Sequence, residues 1–154
     1  MVCSVYKRIK DLREDNDLTQ KDVADYLGAY RSTYAKWEDG TNKIPIQMLD
    51  KLSIKYDVSF NYLLSMTNTK KIGTIQKINP NLLGLRLKSE RKSKNLSQKS
   101  IANILDITKS TYGKYELGLI TPSINKIITL SNFYQISIDY LVGKNDDRLI
   151  HWDK

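Results

Sequence analysis

The chain has 154 residues, a formal net charge of +8 and an isoelectric point near 9.4. That length holds one ordinary domain or two very small ones, and the excess of Lys and Arg favours an anionic partner such as nucleic acid or an acidic membrane surface. One cysteine, Cys3, excludes an internal disulfide, and one histidine, His151, in a polar tail, leaves neither a metal-ligand spacing nor a nucleophile–base pair. With no Gly-rich phosphate loop either, neither an enzyme, a cofactor nor a metal is expected. No apolar run approaches the roughly 20 residues that cross a bilayer, and Met1 to Lys10 lacks a signal-peptide core, so the expected setting is the reducing cytoplasm.

From the N-terminus, Val5, Ile9 and Leu12 recur at spacings of four and three and predict a first helix over about Val5 to Asn16. Thr19 is a good N-cap for a second helix whose Val23, Ala24 and Leu27 form a buried face. Gly28 supplies the positive φ of a tight turn. A third helix follows almost at once, with Tyr34 and Trp37 on its inner side. Ile46, Leu49, Leu52 and Tyr56 mark a fourth helix, and Ser59 caps a fifth. Thr67 to Asn81 carries Gly73 and Pro80 without a clear amphipathic stripe and reads as a linker. Within it Ile72, Ile75 and Ile78 recur every third residue, so a turn or strand docked on one domain is also open.

The same series then begins again. Gln98 stands 78 residues after Gln20, as Tyr140 does after Tyr62. Without a gap, roughly a third of the positions from Arg8 to Ser65 are identical to those from Arg86 to Gly143. The copy of the first helix is expected over about Leu82 to Asn95, and Ser97 caps the next, with Ile101, Ala102 and Leu105 inward. Asp106, a residue that tolerates positive φ, stands where Gly28 does. Tyr112 and Tyr115 face the core from the third helix; Ile124, Ile127, Leu130 and Tyr134 mark the fourth, and Ser137 caps the fifth. Nothing reads as strand. The expectation is an all-α chain of two five-helix units, residues 1–66 and 82–145, joined by a linker over 67–81 and ending in a polar tail over 146–154.

Two stretches carry a resemblance. Leu18-Thr-Gln-Lys-Asp-Val-Ala-Asp-Tyr-Leu27 matches Leu96-Ser-Gln-Lys-Ser-Ile-Ala-Asn-Ile-Leu105, and Arg31-Ser-Thr-Tyr-Ala-Lys-Trp-Glu-Asp-Gly40 matches Lys109-Ser-Thr-Tyr-Gly-Lys-Tyr-Glu-Leu-Gly118. Leu-[Ser/Thr]-Gln, an aliphatic-Ala pair, a turn, then Ser-Thr-Tyr closing on Glu-x-Gly resembles the Cro and phage-repressor, or Xre, type of helix-turn-helix, twice over. The resemblance implies lambda-repressor-like domains binding double-stranded DNA, with the third helix of one or both units in the major groove. It implies base contacts from Arg31, Ser32 and Lys36 and from Lys109, Ser110 and Lys114, with Arg and Lys suited to guanine. Thr33 and Thr111 fit phosphate better. Gln20 and Gln98 match a glutamine that touches the DNA backbone and braces the reading helix, and Glu38 and Glu116 match an acid that pairs with Arg13 and Arg91. Exposed Lys and Arg on a helix can equally be a solvated face, but here they recur in both copies. The implied function is a transcriptional regulator, a repressor by analogy with the family. The competing class is an antitoxin-like or anti-repressor protein, one of whose domains binds a protein partner.

The copies differ in charge. Residues 1–70 hold 11 basic and 10 acidic groups, and 71–154 hold 14 and 7. Arg86, Lys88, Arg91, Lys92, Lys94 and Lys99 crowd the start of the second unit, where the first has Asp11, Glu14, Asp15, Asp17 and Asp22. The second unit is expected to supply most of the DNA affinity, the first sequence selection or dimerisation. Tyr30 also stands where the second unit has the capping residue Thr108. Leu117, Leu119 and Ile120 form an aliphatic cluster expected to contact another domain or subunit, or else to pack under the linker. A flexible linker of about 15 residues reaches about 20 Å typically and about 50 Å at most, against roughly 34 Å between half-sites, which allows an internal pseudo-dimer as well as a homodimer.

Overall fold

The computed structural model describes residues 3–71 and 73–150, with side chains from Lys7 onward except at Ile72. The side chains of Cys3, Val5, Ile72 and His151 therefore lie outside the described residues. The chain divides into two compact units, unit 1 running to Ile75 and unit 2 over Gln76–Ile150. Unit 1 holds α1 (Cys3–Asp15), α2 (Gln20–Leu27), α3 (Arg31–Glu38), α4 (Ile46–Tyr56) and α5 (Phe60–Leu63). Unit 2 holds α6 (Pro80–Ser93), α7 (Gln98–Ile104), α8 (Lys109–Glu116), α9 (Ile124–Tyr134) and α10 (Ile138–Leu141). The described residues are helical and contain no strand.

Local chemistry starts and stops these helices. The Thr19 side chain accepts from the Asp22 backbone N–H while the Asp22 carboxylate accepts from that of Thr19, so two donors at the head of α2 are satisfied reciprocally. Ser97 accepts from Ser100 N–H at the head of α7. Gly28 at φ 71° ends α2, and Asp106 at φ 51° stands at the equivalent bend after α7. The next helix begins within a few residues in each case. Asp57 and Gln135 end α4 and α9 in the same left-handed conformation, and Ser53 and Ser131 donate to the carbonyls of Val58 and Ile136 at 2.6 and 2.5 Å. Ser59 and Ser137 then cap α5 and α10.

Inward-facing residues meet in one core per unit. Ile9, Val23, Leu27, Tyr34, Leu49 and Leu52 are buried in the first, and Leu87, Ile101, Leu105, Tyr112, Ile127 and Leu130 in the second. Each buried Leu or Ile contributes about 1.5–3 kcal/mol of transfer free energy. Packing in unit 2 brings α6 against the end of α8. A Cβ on Gly84 would lie 2.5 Å from the Glu116 carbonyl oxygen, and one on Gly118 would lie 2.8 Å from Asn81 Oδ1. Only glycine permits that approach.

The two segments expected as linker and polar tail differ from expectation, for a physical reason that repeats at the 78-residue offset. Ser59 N–H donates to the Lys70 carbonyl at 2.7 Å, and Ser137 N–H to the Arg148 carbonyl at 3.0 Å. The Arg8 guanidinium lies 4.1 Å over the Tyr62 ring and donates to the Thr67 carbonyl and to Asn68. Arg86 lies 4.0 Å over the Tyr140 ring and donates to the carbonyls of Tyr140 and Asn145 and to Asp146. Each unit thus ends in a strap, held because an arginine of its first helix needs acceptors and finds them there. Arg148 also grips Glu90 with two bonds of 2.9 and 2.8 Å, and Glu90 is buried where unit 1 has the apolar Leu12. At its other end the expected linker loses two residues to α6, which begins at Pro80 instead of Leu82. Asn79 caps Leu82 N–H at 3.0 Å, and Pro80, with its fixed φ and no donor to leave unsatisfied, suits the first helical position.

Candidate nucleic-acid interface

Helices α3 and α8 each divide into an outer and an inner side. On α3, Arg31, Ser32 and Lys36 are exposed, Thr33 is half-buried, and Tyr34, Trp37 and Glu38 are buried. On α8, Lys109, Ser110 and Lys114 are exposed, Thr111 is half-buried, and Tyr112, Tyr115 and Glu116 are buried. The aromatic residues are therefore core groups, leaving the outer face to short hydroxyls and long cations. Such a face can donate to guanine N7 and O6 and to phosphate oxygens.

A clamp fixes the inner side. Arg13 donates from Nε to Glu38 Oε1 at 2.7 Å and from Nη2 to Oε2 at 3.2 Å, while its Nη1 holds the Leu18 carbonyl at 2.8 Å. Gln20 Nε2 reaches Glu38 Oε2 at 2.8 Å, and the Tyr34 hydroxyl reaches Oε1 at 3.1 Å. One carboxylate thereby joins α1, the head of α2 and the end of α3. Unit 2 repeats the arginine and glutamine bonds: Arg91 meets Glu116 at 2.5 and 3.0 Å and holds the Leu96 carbonyl at 2.8 Å, and Gln98 reaches Glu116 at 2.9 Å. Burial alone would raise the Glu38 and Glu116 carboxyls. The hydrogen bonds from arginine and glutamine, with the arginine charge, outweigh it and hold both below the ordinary carboxylate value. Gln20 and Gln98 each spend an amide donor on this brace.

Around this frame the surfaces diverge. Of the six cations that crowd the start of unit 2, Arg86 is buried in the strap and Arg91 is committed to Glu116. Four lysines, Lys88, Lys92, Lys94 and Lys99, remain exposed. In unit 1, Asp11, Glu14, Asp15, Asp17 and Asp22 are exposed, and Lys21 is paired with Asp25 at 2.6 Å. Thr108 caps α8 through Thr111 N–H at 3.1 Å and shares its hydroxyl with that of Thr111 at 2.9 Å. Tyr30 makes no such bond and is 83% exposed ahead of α3. Leu117, Leu119 and Ile120 are 69%, 68% and 41% exposed. Among the described residues no group of three or more His, Cys, Asp or Glu side chains is placed to hold a metal ion, and no helix is long and apolar enough to cross a membrane.

Comparison with known proteins returned the same repeat. The helix-turn-helix family model matches residues 9–63 and again 87–141. Among curated proteins, the SPbeta prophage-derived HTH-type transcriptional regulator YonR of Bacillus subtilis is 43% identical over 61 residues, 40% of this chain and 56% of that protein. The cryptic phage CTXphi transcriptional repressor RstR of Vibrio cholerae is 36% identical over 62 residues, 40% of this chain and 56% of its own length. Antitoxin PezA of Streptococcus pneumoniae is 35% identical over 54 residues, 35% of this chain and 34% of its own. The chain spans about half the length of most of the curated relatives it matches. No significant match among solved structures was found. With a two-sided third helix, an arginine–glutamate–glutamine clamp and a family match in each half, the chain belongs to the helix-turn-helix family of the Xre and Cro/CI type and carries that unit twice.

Proposed function

We propose that the chain is a cytoplasmic, sequence-specific DNA-binding regulator of transcription, acting as a repressor, with α8 as its principal reading helix and α3 as a weaker one. The observation that carries this is the repeated geometry. At matching positions of α3 and α8 a cation, a serine and a lysine stand on the outer face, while an arginine–glutamate–glutamine clamp built on a buried carboxylate fixes the helix behind them. A reading helix must be held rigidly, because base contacts depend on side chains reaching fixed acceptors. Within this reading Lys109, Ser110 and Lys114 contact base edges, Arg31, Ser32 and Lys36 do so in unit 1, and Thr33 and Thr111 face phosphate. Gln20 and Gln98, at the heads of α2 and α7, touch the DNA backbone. The exposed lysines of α6 and α7 add sequence-independent attraction.

Support for repression comes from the relatives: RstR is named a transcriptional repressor, and YonR a prophage-derived regulator. A second reading, in which unit 1 docks a protein partner, is favoured by its exposed carboxylates and uncapped α3, and by a relative named as an antitoxin. One experiment separates them. Pure protein is incubated with fragmented source genome, and the bound duplexes are recovered and sequenced. Paired half-sites over promoters support two reading units and repression. A single short motif assigns reading to one unit, and no enrichment at physiological salt overturns the DNA reading.

A further inference from the structure

The structure shortens the tether between the two units from both ends. At the end of unit 1 the Ser59 N–H donates to the Lys70 carbonyl at 2.7 Å, and the Lys71 ammonium pairs with Asp57. At the start of unit 2 the Asn79 N–H donates to the Val142 carbonyl at 3.0 Å, and the Asn79 side chain caps α6 through the Leu82 N–H at 3.0 Å. Asn79 is also packed on Gly143, where an added Cβ would lie 3.0 Å from its own. Between the backbone anchors at Lys70 and Asn79 stand eight residues, 71–78. The described part of this stretch has neither helix nor strand, and Gly73, Thr74, Gln76 and Lys77 are exposed.

Length decides what such a tether permits. From Lys70 to Asn79 the chain spans at most about 32 Å, and about 17 Å as a flexible coil, against about 50 Å for the longer linker that the sequence suggests. A unit of this size has a radius of gyration of about 11 Å, which places its surface about 15 Å from its centre. Two reading units on one face of a straight duplex stand roughly 34 Å apart at one helical turn and roughly 68 Å apart at two. At one turn the facing surfaces nearly meet, well inside the tether's range. At two turns roughly 38 Å separates even the nearest surfaces, which eight residues do not bridge and the longer linker would have bridged. A linked unit whose tether cannot span the gap adds nothing to the other's affinity.

The two reading faces are also unlike. Arg31 stands on α3 where α8 has Lys109, and a planar guanidinium fork meets guanine N7 and O6 together whereas an ammonium is a point charge. Tyr30, 83% exposed, precedes α3 where the capping Thr108 precedes α8. We propose that the 71–78 tether is a ruler: one chain engages a bipartite operator of two unlike half-sites, α3 on one and α8 on the other, no more than one helical turn apart. This inference rests on the DNA reading proposed above and specifies the class of duplex that such a reader selects.

Selection of the full chain on a random duplex pool at physiological salt tests it, followed by affinities on the recovered duplex with the two motifs moved apart one base pair at a time. Two unlike motifs at a fixed short spacing are expected. Affinity is expected to fall by tenfold or more when they stand two turns apart, down to that of the stronger motif alone. A variant with eight Gly and Ser residues inserted after Gly73 gains a maximal reach of about 60 Å and is expected to bring the two-turn duplex within about threefold of the one-turn duplex. Its affinity for the stronger motif alone, unchanged from that of the original chain, shows that the units still fold; if the insertion disturbs them, the spacing series on the original chain stands as the test. A single motif, two copies of one motif in inverted order, an original chain indifferent to two-turn spacing, or a folded insertion variant that keeps the original preference each overturns the ruler and leaves DNA reading standing. No enriched duplex at all defeats the DNA reading, and the ruler with it.

Discussion

At the positions where unit 1 exposes Asp11, Glu14, Asp15, Asp17 and Asp22, unit 2 has Ser89, Lys92, Ser93, Asn95 and Ser100. Yet behind those surfaces the arginine, glutamine and glutamate of the clamp occupy the same places and make the same bonds. The difference teaches where each kind of constraint lies. A buried ion that loses its partner costs several kcal/mol, whereas exchange of an exposed charge costs a few tenths. Interiors of the two copies are therefore held alike while their surfaces are free to diverge.

The largest effect should be common to both units. Arg13→Ala or Arg91→Ala strands a buried carboxylate and is expected to cost about 3–5 kcal/mol, seen as a lower urea midpoint in either case. A marked inequality between the two would show that one clamp is vestigial. Next, Lys109→Ala/Lys114→Ala is expected to weaken binding to a selected duplex by about 1–3 kcal/mol for each base no longer read. Arg31→Ala/Lys36→Ala should cost about 1 kcal/mol or less if α3 is the weaker reader. Equal losses would erase the proposed ranking.

Acid should act on both units together. Glu38 and Glu116 sit below their ordinary value when folded, so in acid the unfolded chain binds more protons than the folded one. The stability they contribute is present above about pH 4.3, the unfolded glutamate value, and is lost as pH falls through the lower folded values. Urea midpoints measured from pH 6 downward should fall, and Glu38→Gln/Glu116→Gln should flatten that fall. Smaller still, Tyr30→Thr should give α3 the cap that Thr108 gives α8 and stabilise unit 1 by about 1 kcal/mol. Gly113→Ala meets only the Gln98 amide, at 3.8 Å, and should stabilise α8 by about 0.5–1 kcal/mol, bringing it level with Ala35 of α3.

Most of the frame is legible in the sequence because it is written in periodicity and caps. The stripes of α4 and α9, the caps Thr19, Ser97, Ser59 and Ser137, and the turns at Gly28 and Asp106 each depend on a few adjacent residues. The straps are not, because Arg8 and Arg86 find their acceptors about 60 residues away, a separation that local patterning does not encode. Their trace is the repeat itself. Lys70 and Arg148 stand 78 residues apart, as do the two arginines that begin the match, but Thr67–Asn68 and Asn145–Asp146 share no identical residue to carry the alignment on. The start of α6 is hidden for a different reason. Asn79-Pro80 reads as a loop dipeptide, and it is also a cap followed by a first helical residue. On the outer faces of α3 and α8 residue types are plain, but of the six nearby cations Arg86 is buried in the strap and Arg91 is committed to Glu116, so both serve the fold, a distinction that sequence spacing does not draw.

The strap also decides where a unit can be excised. A fragment that stopped at residue 66 or 145 would keep all five helices of its half. It would nonetheless strip Arg8 of Thr67 and Asn68, or Arg86 of Asp146 and Glu90 of Arg148, leaving polar groups facing an open edge. Ends set after Lys71 and after Leu149 preserve those partners, so the genetic module is longer than the helical one by the length of its strap.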